Sequence, residues 1–256
     1  AVYSQVDWDF ADRWTLTAGL RYTEETRSGA THRYLTNGYQ GPFVTDNTAQ
    51  CAALRQNCIP MTTYSADFSG TTPMAALSFK YSDNLNLYAR VARGFKSGGF
   101  NGEYGDPDPS PAGVALNEQE TRTPFQPEKV QSYELGLKTS FAGGRAIVNM
   151  ALFQNDTDDL QLSIFRTVGA FSSVIRNAGQ ASTRGFELEA MWAPSDALRL
   201  QASYAYLDAK YDKYIDAGVD EADNRAFIHA PENSFNLLAD ARIARTAWGD
   251  LRGMLD

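Results

Sequence analysis

The chain has 256 residues, of which 43% are hydrophobic, 12% aromatic and 21% charged, and this composition excludes disordered, collagen-like and disulfide-dense proteins. Its formal net charge of −8 disfavours nucleic-acid binding, because that function requires a basic face. No segment approaches the roughly 18 consecutive apolar residues of a membrane-spanning helix. The chain starts at Ala1 with no signal peptide and stops inside a predicted strand, so we expect a fragment of a longer protein.

The N-terminal residues predict a β-hairpin. Apolar and polar residues alternate without error over Trp14–Thr23, and a period of two is that of a strand. Residues 2–10 alternate in the same way, and only residues 11–13 separate the two runs. A connection this short predicts a tight turn between antiparallel strands.

The hairpin plan recurs along the rest of the chain. Short turns alternate with long connections at 24–72, 96–128 and 212–232. Because the short turns must share one rim, residues 145–168 are predicted to form a single bulged strand, although Asp156–Asp159 could instead be a turn. The count is ten antiparallel strands, the last truncated, with no helix of useful length. The later alternating runs are 75–81, 85–91, 129–141, 145–168, 174–193, 198–211 and 235–243.

Strand length and tryptophan placement separate a membrane barrel from a soluble sandwich, whose half-buried strands also alternate. Residues 129–141 and 198–211 exceed the ~5–6 residues of a typical globular strand and reach the ~9–11 that cross a bilayer. Aromatic residues at one rim are typical of a membrane interface, and short turns are periplasmic in bacterial barrels. All four tryptophans lie in or near short turns: Trp8, Trp14, Trp192 and Trp248.

Several phrases spread over essentially the whole chain resemble the barrel of TonB-dependent outer-membrane receptors. They are LTAGLRYT at 16–23, YARVARGFKSGGFNG at 88–102, FQPEKVQSYELGLK at 125–138 and NAGQASTRGFELE at 177–189. The resemblance implies an all-β, antiparallel transmembrane β-barrel of 22 strands, closed by an N-terminal plug. It also implies import of a scarce nutrient, most often a ferric siderophore, with energy delivered through the plug by the TonB–ExbB–ExbD complex.

We therefore expect residues 1–256 to be a partial barrel, about ten of the 22 strands, with the plug domain absent. The expected location is the bacterial outer membrane, and the expected partners are membrane lipid and a small nutrient, with no nucleic acid. Alternatives are a passive porin or binding barrel, or a receptor of the same family for saccharides, haem or cobalamin.

No catalytic residues, cofactor or metal site are predicted, and we expect no enzyme. The two histidines, His32 and His229, lie in loop-like regions with no nucleophile placed beside them. The acidic runs at 156–159 and 216–223 match no ordered calcium loop, so we interpret them as solvated loops. Cys51 and Cys58, seven residues apart in a polar segment, are expected to form a disulfide, with two free thiols as the alternative.

Two groups of side chains are candidate sites. Near the extracellular rim, cations pair with anionic ligands and aromatic rings stack on flat ones; the alternative is that these rings form the upper interface girdle or pack loops. Charged residues on the polar face of the strands are expected to line the lumen and contact the plug. The ligand candidates are Arg90, Arg93, Lys96, Phe100, Tyr104 and Phe171, and the lumen candidates are Glu134, Lys138, Glu187, Glu189 and Arg199.

Overall fold

A computed structural model describes residues 1–34, 58–102, 111–166 and 172–256. Its strands form one antiparallel sheet, which confirms the all-β class. The strands are β1 (Val2–Ala11), β2 (Trp14–Tyr34), β3 (Cys58–Ser82), β4 (Leu85–Lys96), β5 (Glu128–Phe141), β6 (Ala146–Arg166), β7 (Ser172–Ser195), β8 (Leu198–Asp216), β9 (Val219–Asp220), β10 (Asn233–Thr246) and β11 (Gly249–Leu255).

Each long strand pairs with the next long strand along the chain, in the order β1-β2-β3-β4-β5-β6-β7-β8-β10-β11. The two-residue β9 pairs with the upper end of β8. Among the described residues β1 and β11 do not pair with each other, so the sheet is open. The predicted path of ten antiparallel strands is confirmed, and β9 is a short addition to it.

Strand β6 is continuous through the acidic run, as the parity of the turns predicted. Its register with β7 shifts between Thr157 and Leu160, and again between Leu160 and Gln161. Asp159 has a φ of 55°, in the left-handed region. Such a local irregularity absorbs an extra residue without ending the strand. The run is a bulge within β6 and not a turn, so the interpretation of 156–159 as a loop is wrong.

The short turns all lie at one edge of the sheet, because every pair of strands they join is antiparallel. They occupy residues 12–13, 83–84, 142–145, 196–197 and 247–248. Gly143 and Gly144 have φ of 67° and 83°, values that glycine adopts readily in a hairpin turn. Trp248 is 98% exposed at the last of these turns.

The sheet has one polar and one apolar face, since directly opposed residues of an antiparallel pair point the same way. The apolar face is open: Leu135 is 59% exposed and Phe235 is 78% exposed. Within the described residues no second layer of protein covers it. Such a face is stable where its surroundings are apolar, as in a bilayer. It includes Leu20, Leu77, Leu87, Leu135, Met150, Leu188 and Phe235.

The expected loop at 24–72 is wrong in extent, because β2 runs on to Tyr34 and β3 begins at Cys58. The two strands stay in register from Trp14 opposite Phe79 to Thr31 opposite Thr62. Their upper parts carry Thr, Ser and charged residues on both faces, which removes the apolar–polar alternation that marks a strand. Cross-strand polar bonds take over, as between Thr26 Oγ1 and Asp67 Oδ1 at 2.7 Å.

The expectation of no helix is also wrong. Helix α1 spans Pro111–Arg122 in the connection from β4 to β5, and a 3-10 helix covers Ala222–Asn224. Helix α1 has no clear apolar stripe, so periodicity did not reveal it, and its tertiary contacts with β3 and β7 hold it in place. No helix in the described ranges is both long and apolar enough to cross a membrane.

Candidate functional site

The charged lumen candidates lie on the polar face between β4 and β7. Tyr88, Gly136, Ala151 and Glu187 are successive register partners on β4, β5, β6 and β7. Their side chains therefore project from the same face, and the neighbouring rows extend this surface in both directions. Those rows contribute Arg90, Glu134, Lys138, Asn149 and Glu189.

Tyr88 organises the centre of this surface. Its hydroxyl donates to Glu134 Oε1 at 2.5 Å, and Arg90 Nη1 lies 3.8 Å from Glu134 Oε2. The Tyr88 ring covers Gly136 so closely that a Cβ there would lie 2.2 Å from the ring. Lys138 Nζ lies 5.7 Å from the ring centroid. Gly136 thus makes room for the Tyr88 ring, whose hydroxyl bonds Glu134 and whose face lies near the Lys138 ammonium group.

Two further carboxylates on this face are only partly neutralised. Glu189 accepts a long hydrogen bond of 3.4 Å from Asn149 Nδ2. The Glu187 carboxylate has no hydrogen bond or ion pair to any residue of the described ranges, although the main chain of Glu187 is paired in the sheet. Both line a cavity of about 380 Å³ together with Glu134 and Lys138. Three acids and one lysine around a cavity favour a partner that donates hydrogen bonds or carries positive charge.

Arg199 shares the polar face but lies apart from this cavity. It stands opposite Asp240 in the pairing of β8 with β10, near the short-turn edge. Asp240 forms an ion pair with Arg252 at 3.0 Å. The structure therefore brings four of the five lumen candidates together and separates Arg199 from them.

The three candidate cations of β4 divide between the two faces. Arg90 and Lys96 are on the polar face, and Lys96 Nζ lies 3.6 Å from Glu128 Oε2. Arg93, an odd number of residues away from each, points to the opposite face and donates from Nε to Gln131 Oε1 at 2.8 Å. Arg93 is therefore not assembled with the other two cations.

The candidate aromatic residues are only partly covered by the described ranges. Phe100 packs against Tyr64 of β3 with ring centroids 4.5 Å apart. Tyr104 and Phe171 lie outside the described residues. Cys51 and the side chain of Cys58 lie outside them too, so their disulfide stays a prediction.

Above β8, aromatic rings pack the connection to β10, and the sequence did not single them out. The rings of Tyr211 and Phe227 stack with centroids 4.2 Å apart. Arg225 lies 5.0 Å from the centroid of Tyr214 and 3.2 Å from Asp216 Oδ2. A cavity of about 1250 Å³ opens beside this segment, between the upper ends of β6, β7 and β8. Its lining carries both signs of charge, so it has no evident preference for an anion or a cation.

Asp220 fastens the same segment. Its carboxylate accepts the main-chain N–H groups of Tyr214 and Ala222 at 3.0 and 3.1 Å. These hydrogen bonds favour the ionised form and lower the pKa of Asp220 below its usual range. The acidic run at 216–223 therefore holds the loop, and within the described residues no cluster of His, Cys, Asp or Glu is arranged to bind a metal ion.

Tyr88 and Gly136 are the residues of this surface that sequence reasoning missed. The signal was present in the register: a strand glycine opposite a large aromatic residue on the neighbouring strand indicates that the ring lies over the glycine. Predicting this contact required knowing which residue of β5 lies opposite Tyr88 of β4, and alternation alone does not specify that.

Comparison with known proteins places this geometry in a family. The family model described as TonB dependent receptor-like, beta-barrel matches residues 1–254. The probable TonB-dependent siderophore receptor PiuA of Acinetobacter baumannii is 24% identical over 213 residues, which is 83% of this chain and 24% of that protein. The pesticin receptor of Yersinia enterocolitica is 25% identical over 192 residues, which is 75% of this chain and 23% of that protein.

A solved structure shows the same fold. The ferric yersiniabactin uptake receptor FyuA from Yersinia pestis superposes with a TM-score of 0.69 at 21% identity, over 98% of this chain and 32% of that one. The chain spans about a quarter of the length of the two curated relatives. The match over almost every residue, the open one-layer sheet and its two contrasting faces lead to one conclusion: the chain belongs to the family of TonB-dependent receptor β-barrels.

Proposed function

We propose that the full-length protein imports a ferric siderophore across the bacterial outer membrane, with energy from the TonB–ExbB–ExbD complex acting through a plug domain. The observation that carries this proposal is the single-layer sheet with an open apolar face and a charged polar face, in a chain of this family. The apolar face would contact outer-membrane lipid, and the polar face would line the lumen. The protein would act as a receptor and transporter without enzymatic activity.

The proposed cargo follows from the relatives. Their names include a siderophore receptor, a ferrioxamine B receptor and a ferric yersiniabactin uptake receptor. A ferric siderophore offers anionic or polarised oxygen atoms and often a flat face, which cationic and aromatic side chains recognise. Of the described ligand candidates, we propose Lys96 and Phe100 for contacts near the mouth and Arg90 for a contact deeper in the lumen.

We propose that the cavity lined by Glu134, Glu187 and Glu189 on the polar face binds the plug domain. The carboxylate of Glu187, which has no partner among the described residues, lies beside Glu189 and Glu134, on a wall whose other side would face lipid. A carboxylate in a confined space is stabilised by a donor brought by another surface, and the plug is the surface that fills such a lumen. Basic or amide side chains of the plug would complete these hydrogen bonds.

Uptake by a deletion strain tests the proposed function. Cells that lack the gene, cells complemented with the full-length gene and cells that also lack TonB would be grown under iron limitation. Each would receive radiolabelled ferric siderophores, including ferrioxamine B and ferric yersiniabactin. We expect uptake of at least one complex that requires both the gene and TonB. Entry that persists without TonB would instead indicate a passive barrel and refute the proposal.

Substitution of Glu187 tests the plug-facing wall. In the full-length protein, Glu187→Gln keeps the shape and removes the charge, and Glu187→Leu removes the acceptors as well. Loss of one charge-assisted hydrogen bond is worth about 1.5–3 kcal/mol, so plug release by denaturant should occur at lower concentration, more so for Leu. Ser234→Ala on β10, outside the cavity, is the matched control. Unchanged uptake and plug retention in Glu187→Leu would refute this role.

A further inference from the structure

Two tall hairpins flank a notch in the upper edge of the sheet. Strands β2 and β3 stay paired up to Tyr34 opposite Cys58, and β6 and β7 stay paired up to Arg166 opposite Ser172. Between them β4 stops at Lys96 and β5 begins at Glu128. Among the described residues, the edges of β3 and β6 that face the notch have no neighbouring strand at this height.

The connection from β4 to β5 occupies this notch. We call its described residues, 97–102 and 111–127, the strap. On the β3 side, the ring of Phe68 lies over Gly98, where a Cβ would come within 2.4 Å of it, and Phe68 is 5% exposed. Phe100 packs on Tyr64, and α1 packs along β3. The strap is thus attached to the first tall hairpin by apolar contacts.

On the other side the strap is attached by amide side chains that imitate strand pairing. The Asn101 side chain accepts from Ile175 N at 2.8 Å and donates to Ile175 O at 3.0 Å. The Asn177 side chain accepts from Gln126 N at 2.6 Å and donates to Gln126 O at 2.7 Å. Each amide thereby satisfies both main-chain groups of one residue, as a neighbouring strand would.

A third amide and an ion pair join the same attachment. Gln161 of β6 donates from Nε2 to Ser97 O at 3.0 Å and to Gln126 O at 3.1 Å. Arg176 Nη2 lies 2.5 Å from Glu120 Oε1 at the end of α1. The bonds from Gln161 reach both ends of the strap, so they hold its start and its finish against the second tall hairpin.

We infer that Asn101, Gln161 and Asn177 are positioning residues that lock the strap across the notch and so hold Phe100 and α1 at the extracellular mouth. The attachment of the strap to β6 and β7, which we call the anchorage, follows from these contacts alone. Its effect on ligand capture through Phe100 rests on the proposed function. The strap joins two hairpins that, in the part of the chain that the structure describes, no strand pairing connects at this height. Its release would uncover the upper edge of β3 and free Phe100 from a fixed position.

Hydrogen–deuterium exchange of the full-length protein in detergent tests the anchorage without any ligand. Asn177→Ala removes both bonds to Gln126, and Asn101→Ala, located on the strap itself, cannot unfold the wall. Two lost hydrogen bonds correspond to an opening equilibrium raised about tenfold or more, so exchange at 97–102 and 123–127 should accelerate by that factor. Asn177→Asp, which keeps the acceptor for Gln126 N–H, should fall between wild type and Asn177→Ala.

Gln180→Ala is the matched control. Gln180 is an amide on the same strand whose side chain bonds Asp158 within the wall at 2.8 Å, and it should leave exchange in the strap unchanged. Unchanged exchange in both Asn101→Ala and Asn177→Ala, or equal acceleration in Gln180→Ala, would overturn the anchorage.

A separate experiment tests the positioning role. It measures uptake of radiolabelled ferrioxamine B or ferric yersiniabactin, whichever of the two the wild-type protein transports. We expect KM to rise about tenfold in Asn177→Ala with the maximal rate retained, because the mouth loses order while the lumen is unchanged. An unchanged KM with accelerated exchange would refute the positioning role. If wild type transports no ferric siderophore, the proposed function fails, and the exchange result still decides the anchorage.

Discussion

Replacing Gly185 by alanine should damage the wall of this sheet, although alanine normally improves a strand. A Cβ at Gly185 would lie 2.0 Å from the main-chain oxygen of Tyr206 and 3.0 Å from Phe153 Cζ. The carbonyl would have to retreat by about 1.4 Å to reach the 3.4 Å at which ordinary contact begins. That shift breaks the pairing of β7 with β8 locally.

The expected cost follows from two contributions. Forcing an extra methyl group into a filled space costs about 1–3 kcal/mol, and each main-chain hydrogen bond lost adds about 1 kcal/mol. We therefore expect Gly185→Ala to lower the free energy of unfolding by about 2–4 kcal/mol. Gly94→Ala is the matched control, because its nearest neighbour, Val130 Cβ, would be 3.8 Å away. That change should raise stability by about 0.5 kcal/mol, as alanine reduces the freedom of the unfolded chain.

Urea unfolding of the full-length protein in lipid vesicles, followed by tryptophan fluorescence, measures both variants. The transition midpoint should fall for Gly185→Ala and stay or rise for Gly94→Ala. Equal midpoints for the two variants would show that the β7–β8 wall yields to an added methyl group, and the argument from close approach would be refuted.

Two further predictions concern single hydrogen-bonded groups. Tyr88→Phe should lower the free energy of unfolding by about 1.5–3 kcal/mol, since it removes the hydroxyl that donates to Glu134. A double-mutant cycle with Glu134→Gln should show coupling between the two residues, and additive effects would contradict the contact. The hydrogen bonds that lower the pKa of Asp220 contribute stability above its ordinary value of 3.8, and this stability is lost as pH falls through the lowered pKa. Protease cleavage in 211–228 of wild type should therefore increase as the pH falls below the lowered pKa of Asp220. Asp220→Asn should remove this pH dependence and raise cleavage already at neutral pH. A pH profile of Asp220→Asn identical to that of wild type would contradict the role of Asp220 in holding this segment.

The alternation of apolar and polar side chains predicted a large part of this fold, because it depends only on the face of the strand on which each residue lies. It predicted the ten-strand path, and the parity of turns predicted β6 as one bulged strand through Asp156–Asp159. It failed where both faces are solvated, at the upper ends of β2 and β3, because no contrast between faces remains there. It failed again for α1, whose stability comes from its neighbours on β3 and β7.

The candidate site divides in the same way. Sequence by itself determined that Glu134 and Lys138 lie on the polar face of β5 and that Glu187 and Glu189 lie on the polar face of β7, since parity within a strand requires no knowledge of its partners. Only the tertiary structure decided which rows meet, because register depends on how the strands slide past one another. Register placed Arg199 away from the cavity, and tertiary contacts brought Asn101, Gln161 and Asn177 from three separate segments to one notch.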